Sequence, residues 1–187
     1  MRGILALAEA AALAPPARAE LVIDGFTVGG FFRRMTMREA YTHEEGGLDR
    51  ARSAWGHRAL MVNINSNPNN TYLDVTVGGD RQRFESPLPV LWRSTLLLAD
   101  PPAVVDFTGQ TRINVDYNSF PPNVFADTWQ ILVRDAHGRE AGNGNWLLRP
   151  EGIYFEIADF SQPVAWSRIE AFRFTQNFHQ CPLPEPA

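Results

Sequence analysis

Clusters of Gly, Pro, Asn and Asp punctuate this chain from end to end, and the segments between them are short. Gly29-Gly30, Gly46-Gly47, Asn67-Pro68-Asn69-Asn70, Gly78-Gly79-Asp80, Asp100-Pro101-Pro102, Pro121-Pro122-Asn123, Gly138 and Gly142-Asn143-Gly144-Asn145 all read as turns. The intervening segments are rich in β-branched and aromatic residues and too short for stable helices. That pattern constrains the fold to an all-β sandwich or barrel.

Period-two alternation sorts several segments into a core face and an open face. Ile113, Val115 and Tyr117 oppose Asn114, Asp116 and Asn118. Trp129, Ile131 and Val133 oppose Gln130, Leu132 and Arg134. Ile153, Phe155 and Ile157 oppose Tyr154, Glu156 and Ala158. The last strand, over 168–178, sets Phe172, Phe174 and Phe178 against Arg173, Thr175 and Asn177. Residues 58–65 are apolar almost throughout, as a buried strand requires. The alternating 71–77 and the segment after Gly78-Gly79, with Phe84 opposite Arg81, Arg83 and Glu85, form a hairpin. A strand also falls over 88–98, with Pro89 at an edge. One helix is expected, over 35–41 or 48–54. The absence of a repeat or internal linker makes one domain the economical reading.

The composition narrows function mainly by exclusion. All 17 basic residues are arginine, and the chain has one cysteine, Cys181. Without lysine there is no P-loop, Schiff-base or Ser–Lys chemistry. One cysteine permits no internal disulfide and no Cys-based zinc site. The first nineteen residues have a basic start, an apolar Ala-rich stretch interrupted by Glu9, a Pro15-Pro16 break and Ala17-Arg18-Ala19. This is the pattern of a secretory signal peptide, which predicts a secreted or periplasmic bacterial protein. Its removal takes away Arg2, Arg18 and Glu9, leaving 15 arginines against 20 acids, a formal charge of −5. Such a chain has no general attraction for nucleic acid or anionic membrane. No later stretch reaches the ~20 apolar residues of an integral membrane span. The organisation expected is therefore a signal peptide over 1–19, a β-sandwich over 20–179 and a Pro-rich tail over 180–187.

Four segments, in order, resemble the galactose-binding-type jelly roll of secreted bacterial carbohydrate-binding modules. Leu21-Val22-Ile23-Asp24-Gly25-Phe26 is similar to their opening strand. Asp106-Phe107-Thr108-Gly109-Gln110-Thr111-Arg112-Ile113 is similar to the lead into a central strand. The run from Trp129 to Asp135-Ala136-His137-Gly138 resembles a strand ending in a D-x-x-G turn. Phe160-Ser161 and Trp166-Ser167-Arg168-Ile169-Glu170-Ala171-Phe172 resemble the exit. The resemblance spans roughly residues 20–178 and implies a jelly roll, a fold that hosts many ligands. It also implies a structural calcium near the first and last strands, with Asp24 as ligand. The final strand departs from that pattern, reading Thr175-Gln176-Asn177-Phe178 where such modules offer an acid.

A narrower resemblance concerns Trp55-Gly56-His57-Arg58-Ala59-Leu60 and the tail Pro184-Glu185-Pro186-Ala187. Exported bacterial proteins of the exosortase-sorted (PEP-CTERM) type carry a similar G-G-x-R-x-L strand and Pro-Glu-Pro motif. The hydrophobic helix and arginine cluster that follow that motif are not in this sequence.

No H-E-x-x-H or G-x-S-x-G motif occurs, and no two of the four histidines stand at i,i+2 or i,i+4. Asp135-Ala136-His137-Gly138 reads as a turn rather than a catalytic dyad. Asn69-Asn70-Thr71, though a glycosylation sequon in form, reads as a turn too. The set best suited to ligand binding is the open face of the late strands: Asn114, Asp116, Gln130, Arg134, Tyr154, Glu156, Arg173 and Thr175. Sugars are recognised by amide, carboxylate and guanidinium hydrogen bonds and by a ring under their apolar face, here Tyr154. Trp92, Trp146 and Trp166 are candidates for a rim platform, while Trp55 and Trp129 read as core. The sequence therefore points to a non-catalytic, secreted carbohydrate-binding or matrix and cell-surface module whose partner is a polysaccharide or glycan. Two rivals stay open: a polysaccharide lyase or hydrolase on the same scaffold, and a purely structural exported domain.

Overall fold

The structure, a computed structural model, describes residues 21, 23–36, 38–87, 90–115, 124–125, 128–145 and 153–180. Twelve strands are described: β1 Phe31–Met35, β2 Ala40–Glu45, β3 Arg58–Ser66, β4 Leu73–Gly78, β5 Arg81–Glu85, β6 Leu91–Ala99, β7 Arg112–Val115, β8 Val124–Phe125, β9 Trp129–Asp135, β10 Glu140–Asn145, β11 Ile153–Glu156 and β12 Ile169–Gln180. Two three-residue 3₁₀ turns, Ile157–Asp159 and Trp166–Arg168, are the described helical elements. The helix expected over 35–41 or 48–54 is not there. Residues 40–45 are strand, and 49–54 fold as a turn held by Arg52 and Ser53 N–H groups donating to the Asp49 carbonyl. Neither segment has the apolar stripe that would make a helix bury a face.

The strands form an antiparallel β-sandwich. One layer is a sheet in the order β10-β9-β12-β6-β3-β2, with β8 pairing to the end of β12. The other layer consists of a three-stranded sheet, β1-β4-β5, and a two-stranded sheet, β11-β7. The alternation read from the sequence explains why the layers close on each other. Leu60, Val62 and Ile64 of β3, Leu96 and Leu98 of β6, Ile131 and Val133 of β9, and Phe172 and Phe174 of β12 all point into one core. Leu73, Val75 and Val77 of β4, Ile113 of β7, and Ile153 and Phe155 of β11 enter it from the other layer. Each such side chain contributes about 1.5–3 kcal/mol by leaving water.

Aromatic rings tie the layers together. Trp92 of β6 stacks on Phe84 of β5 with ring centroids 4.0 Å apart. Trp55, fully buried, packs against Phe107 and Phe172. The predicted hairpin is β4-β5, and its turn residues Gly79 and Asp80 have φ of 60° and 70°. Two successive left-handed residues make a type I′ turn, whose twist matches that of the flanking strands. Trp55 and Trp129 are core, as expected. Trp92 is not a rim residue, being only 6% exposed under Phe84. Trp166 is half-buried, edge-on to Phe107 and Phe160, and forms no platform either. Trp146 lies outside the described residues.

Candidate ligand-binding face

Strand pairing fixes which side chains share the outer face of the large sheet. One row across it runs Glu44, Ala59, Leu97, Arg173, Leu132 and Gly142. The next runs Thr42, Met61, Thr95, Thr175, Gln130 and Gly144. A third runs Ala40, Asn63, Arg93 and Asn177. Registered neighbours on one face stand about 4.5–5.5 Å apart at Cβ, so each row is a line of adjacent side chains, two of the rows ending at a glycine of β10.

The centre of this face is polar without being acidic. Thr95 and Thr175 are directly opposite, with Oγ1 atoms 3.4 Å apart. Arg93 donates from Nε to Asn177 Oδ1 at 2.5 Å, a neutral partner. Arg173 is exposed, and no hydrogen bond, ion pair or ring contact from a described residue engages its guanidinium. Leu97 and Leu132 flank it in register. Arg134, one row further along, is committed to Glu170 through a 2.7 Å bond from Nε to Oε1.

The eight residues singled out from sequence therefore divide. Gln130, Arg134, Arg173 and Thr175 come together on the outer face of the large sheet. Asn114, Tyr154 and Glu156 lie on the two-stranded sheet of the other layer, where Tyr154 is registered with Asn114 and Glu156 with Arg112. There the Arg112 guanidinium carbon stands 5.6 Å from the Tyr154 ring centre. Because β7 and β11 send their alternate residues into the shared core, Asn114 and Tyr154 point away from it on the opposite surface. The single eight-residue face is thus corrected to two. Asp116 lies outside the described residues.

Sequence reasoning missed Arg93, Thr95 and Asn63. Alternation within β6 is masked by Leu96-Leu97-Leu98, which is apolar on both faces, so its outward residues could not be sorted without the register. Asn177 was readable beside Arg173 and Thr175.

Asp24, the expected calcium ligand, has another partner. Both its carboxylate oxygens accept from Nη1 of Arg58, each at 3.1 Å, and one also accepts from the Phe26 N–H at 2.9 Å. Arg58 is 1% exposed, and its Nε donates to Glu45 Oε2 at 2.7 Å. A guanidinium thus supplies the positive charge beside Asp24 that a cation would bring. Among the described residues no group of three or more His, Cys, Asp or Glu converges as a metal site. Burial pushes the Asp24 carboxyl above its ordinary range, against the pull of the Phe26 N–H and Arg58. Burial acts the same way on Glu45, but the Gly30 N–H and Arg58 outweigh it and hold that carboxyl below its range. Gly29, at φ +67°, fits against this cage because a Cβ there would sit 2.6 Å from Glu45 Oε1.

Asp135 is a further fully buried charge among the described residues. Burial raises its carboxyl, but N–H groups of Ala165, Arg139 and His137 and the Arg139 guanidinium together bring it well below the carboxylate range. It closes the β9–β10 turn and anchors the 160s crossing, so the turn reading of 135–138 holds.

The outer face of β1-β4-β5 has a different character. Its rows are Arg34, Asp74, Glu85 and Phe32, Thr76, Arg83. Arg34 forms a two-pronged pair with Asp74, at 2.7 and 2.6 Å, and covers the Tyr72 ring at 3.8 Å. Arg83 pairs with Glu85. An open recess of about 280 Å³ beside them is lined by Tyr72, Asp74, Glu85, Ser86 and Pro87.

Comparison with known proteins finds no matching family, no matching curated protein and no matching solved structure. The functional reading therefore rests on this geometry.

Proposed function

We propose that the protein is a secreted, non-catalytic carbohydrate-binding module of the galactose-binding-like jelly-roll type, acting at a bacterial surface or in its matrix. The observation that carries this reading is the outer face of β6, β12 and β9, where Arg93, Asn177, Thr95, Thr175, Gln130 and Arg173 stand in register. Hydroxyl, amide and guanidinium groups in register on adjacent strands match the spaced hydroxyls of an extended glycan. A site on strands is also more precisely held than one on loops.

The acids support binding over catalysis. A hydrolase or lyase needs convergent titratable groups free to exchange protons in a cleft. The four described carboxyls with displaced protonation, Asp24, Glu45, Asp74 and Asp135, are each held by an arginine, and three of them by backbone N–H groups as well. The N-terminal signal pattern supports export. No helix among the described residues is long and apolar enough to cross a membrane.

A glycan array on the full chain, run beside a reducing-sugar release assay, tests the reading. Binding without release is expected. Release would replace the module with an enzyme, and silence in both would leave the structural domain.

A further inference from the structure

Arg93 and Arg173 are the unusual pair on the proposed binding face. Each is exposed, each lies on one of the two central strands, and neither has a carboxylate partner among the described residues. Arg34, Arg50, Arg52, Arg58, Arg81, Arg83, Arg134 and Arg139 all pair with an acid. Arg33, Arg38, Arg112 and Arg168 show no acid partner among the described residues either, but they stand off the strands of this face, and Arg33 and Arg112 lie over the Tyr41 and Tyr154 rings. In a chain with a formal charge of −4, acids are in excess, so two uncompensated cations at the middle of one sheet are not explained by composition.

Their spacing is set by the register. Arg93 is opposite Asn177, four residues along β12 from Arg173. At about 3.4 Å per residue, with neighbouring strands about 4.8 Å apart, the two Cα atoms are about 14 Å apart. Between them lie the paired hydroxyls of Thr95 and Thr175, with Gln130 alongside. From the neutral centre outward, the strip therefore offers hydroxyl and amide groups flanked by a guanidinium at each end.

We infer that this face takes an acidic oligosaccharide, whose anionic groups pair with Arg93 and Arg173 while the hydroxyls of the sugar between them meet Thr95, Thr175 and Gln130. The inference rests on the carbohydrate-binding reading and adds the class of glycan. A guanidinium forks onto a planar carboxylate or onto a sulfate with two parallel hydrogen bonds. The span requires an oligosaccharide rather than a monosaccharide. The acid on these rows, Glu44, stands on the edge strand three strands from Arg173, so the strip itself carries positive charge although the whole molecule is negative.

The test is titration calorimetry of the full chain with three probes: oligogalacturonate, the same oligosaccharide with its carboxyls reduced to alcohols, and a sulfated oligosaccharide. Binding of at least one acidic probe, weakening as salt rises, is expected, with the reduced probe bound about a hundredfold more weakly. Arg173→Gln and Arg93→Gln each lower affinity for the acidic probe about tenfold and leave the melting temperature unchanged. Which acidic probe binds distinguishes carboxylate from sulfate. Equal binding of the reduced probe, or full affinity in both variants, overturns the acidic assignment while leaving the carbohydrate reading intact. If neither these probes nor any neutral glycan on the array binds, the carbohydrate reading itself fails.

Discussion

The two outer faces of this sandwich use arginine in opposite ways. On β1-β4-β5, Arg34 is matched to Asp74 and Arg83 to Glu85, so the charges neutralise one another within the sheet. On the large sheet, Arg93 and Arg173 face outward with no such match among the described residues. Another arginine, Arg58, sits inside the sandwich between Asp24 and Glu45. One residue type thus fills three roles, and the presence or burial of an acidic partner decides which. The compensated buried arginine holds the fold, the compensated surface arginines do little, and Arg93 and Arg173 are the pair proposed for a ligand.

That contrast can be broken at several points. The largest effect belongs to Arg58→Leu. It strands two buried or nearly buried carboxylates and should lower stability by about 3–5 kcal/mol. Urea denaturation measures it, and a loss well below 1 kcal/mol would mean the cage is not holding residues 24–30 to β2 and β3. Next comes the double charge reversal Arg93→Glu with Arg173→Glu. It should abolish binding of an acidic oligosaccharide, a loss of a hundredfold or more, without shifting the thermal midpoint. A stability loss as large as that of Arg58→Leu would assign these side chains to the fold instead.

Acid titration probes the buried charges. Glu45 and Asp135 are held below the ordinary carboxyl range, so the folded chain binds fewer protons than the unfolded one. Their stabilisation is complete above the unfolded value near pH 4 and is lost as pH falls through the folded values. Asp24 is displaced upward and acts in the opposite sense. Its contribution is greatest in acid and declines as pH rises through its folded value. Asp135→Asn should therefore flatten the acid limb of a stability–pH curve measured by urea midpoints. An unchanged slope would show that the Asp135 carboxylate is not what titrates. The smallest effect is expected from Arg34→Gln, which removes an exposed ion pair on the self-neutralised face. It should change neither glycan affinity nor melting temperature measurably.

How much of this was legible beforehand differs between fold and site. The all-β class, the β4-β5 hairpin and the inward faces of β9, β11 and β12 follow from alternation and turn residues alone. Strands β1 and β2 do not. Phe31-Phe32-Arg33-Arg34-Met35 lacks a clean period, and its residues become legible only once β4 pairs with it. For the site, alternation named Gln130, Arg173 and Thr175 correctly as outward residues. It could not tell that Asn114 and Tyr154 belong to a different sheet, because period two gives the side of a strand and not the identity of its neighbours. Nor could it show that Arg134 is engaged by Glu170 while Arg173 is not, since both stand outward on adjacent strands.

The most direct test is a two-dimensional NMR titration of the labelled protein with oligogalacturonate, following backbone amides. The account predicts that perturbed amides cluster at 93–97, 130–132 and 173–177, the central strips of β6, β9 and β12. Perturbations centred instead on 32–34, 72–76 and 81–85 would contradict it, placing the ligand on the face whose charges are already matched.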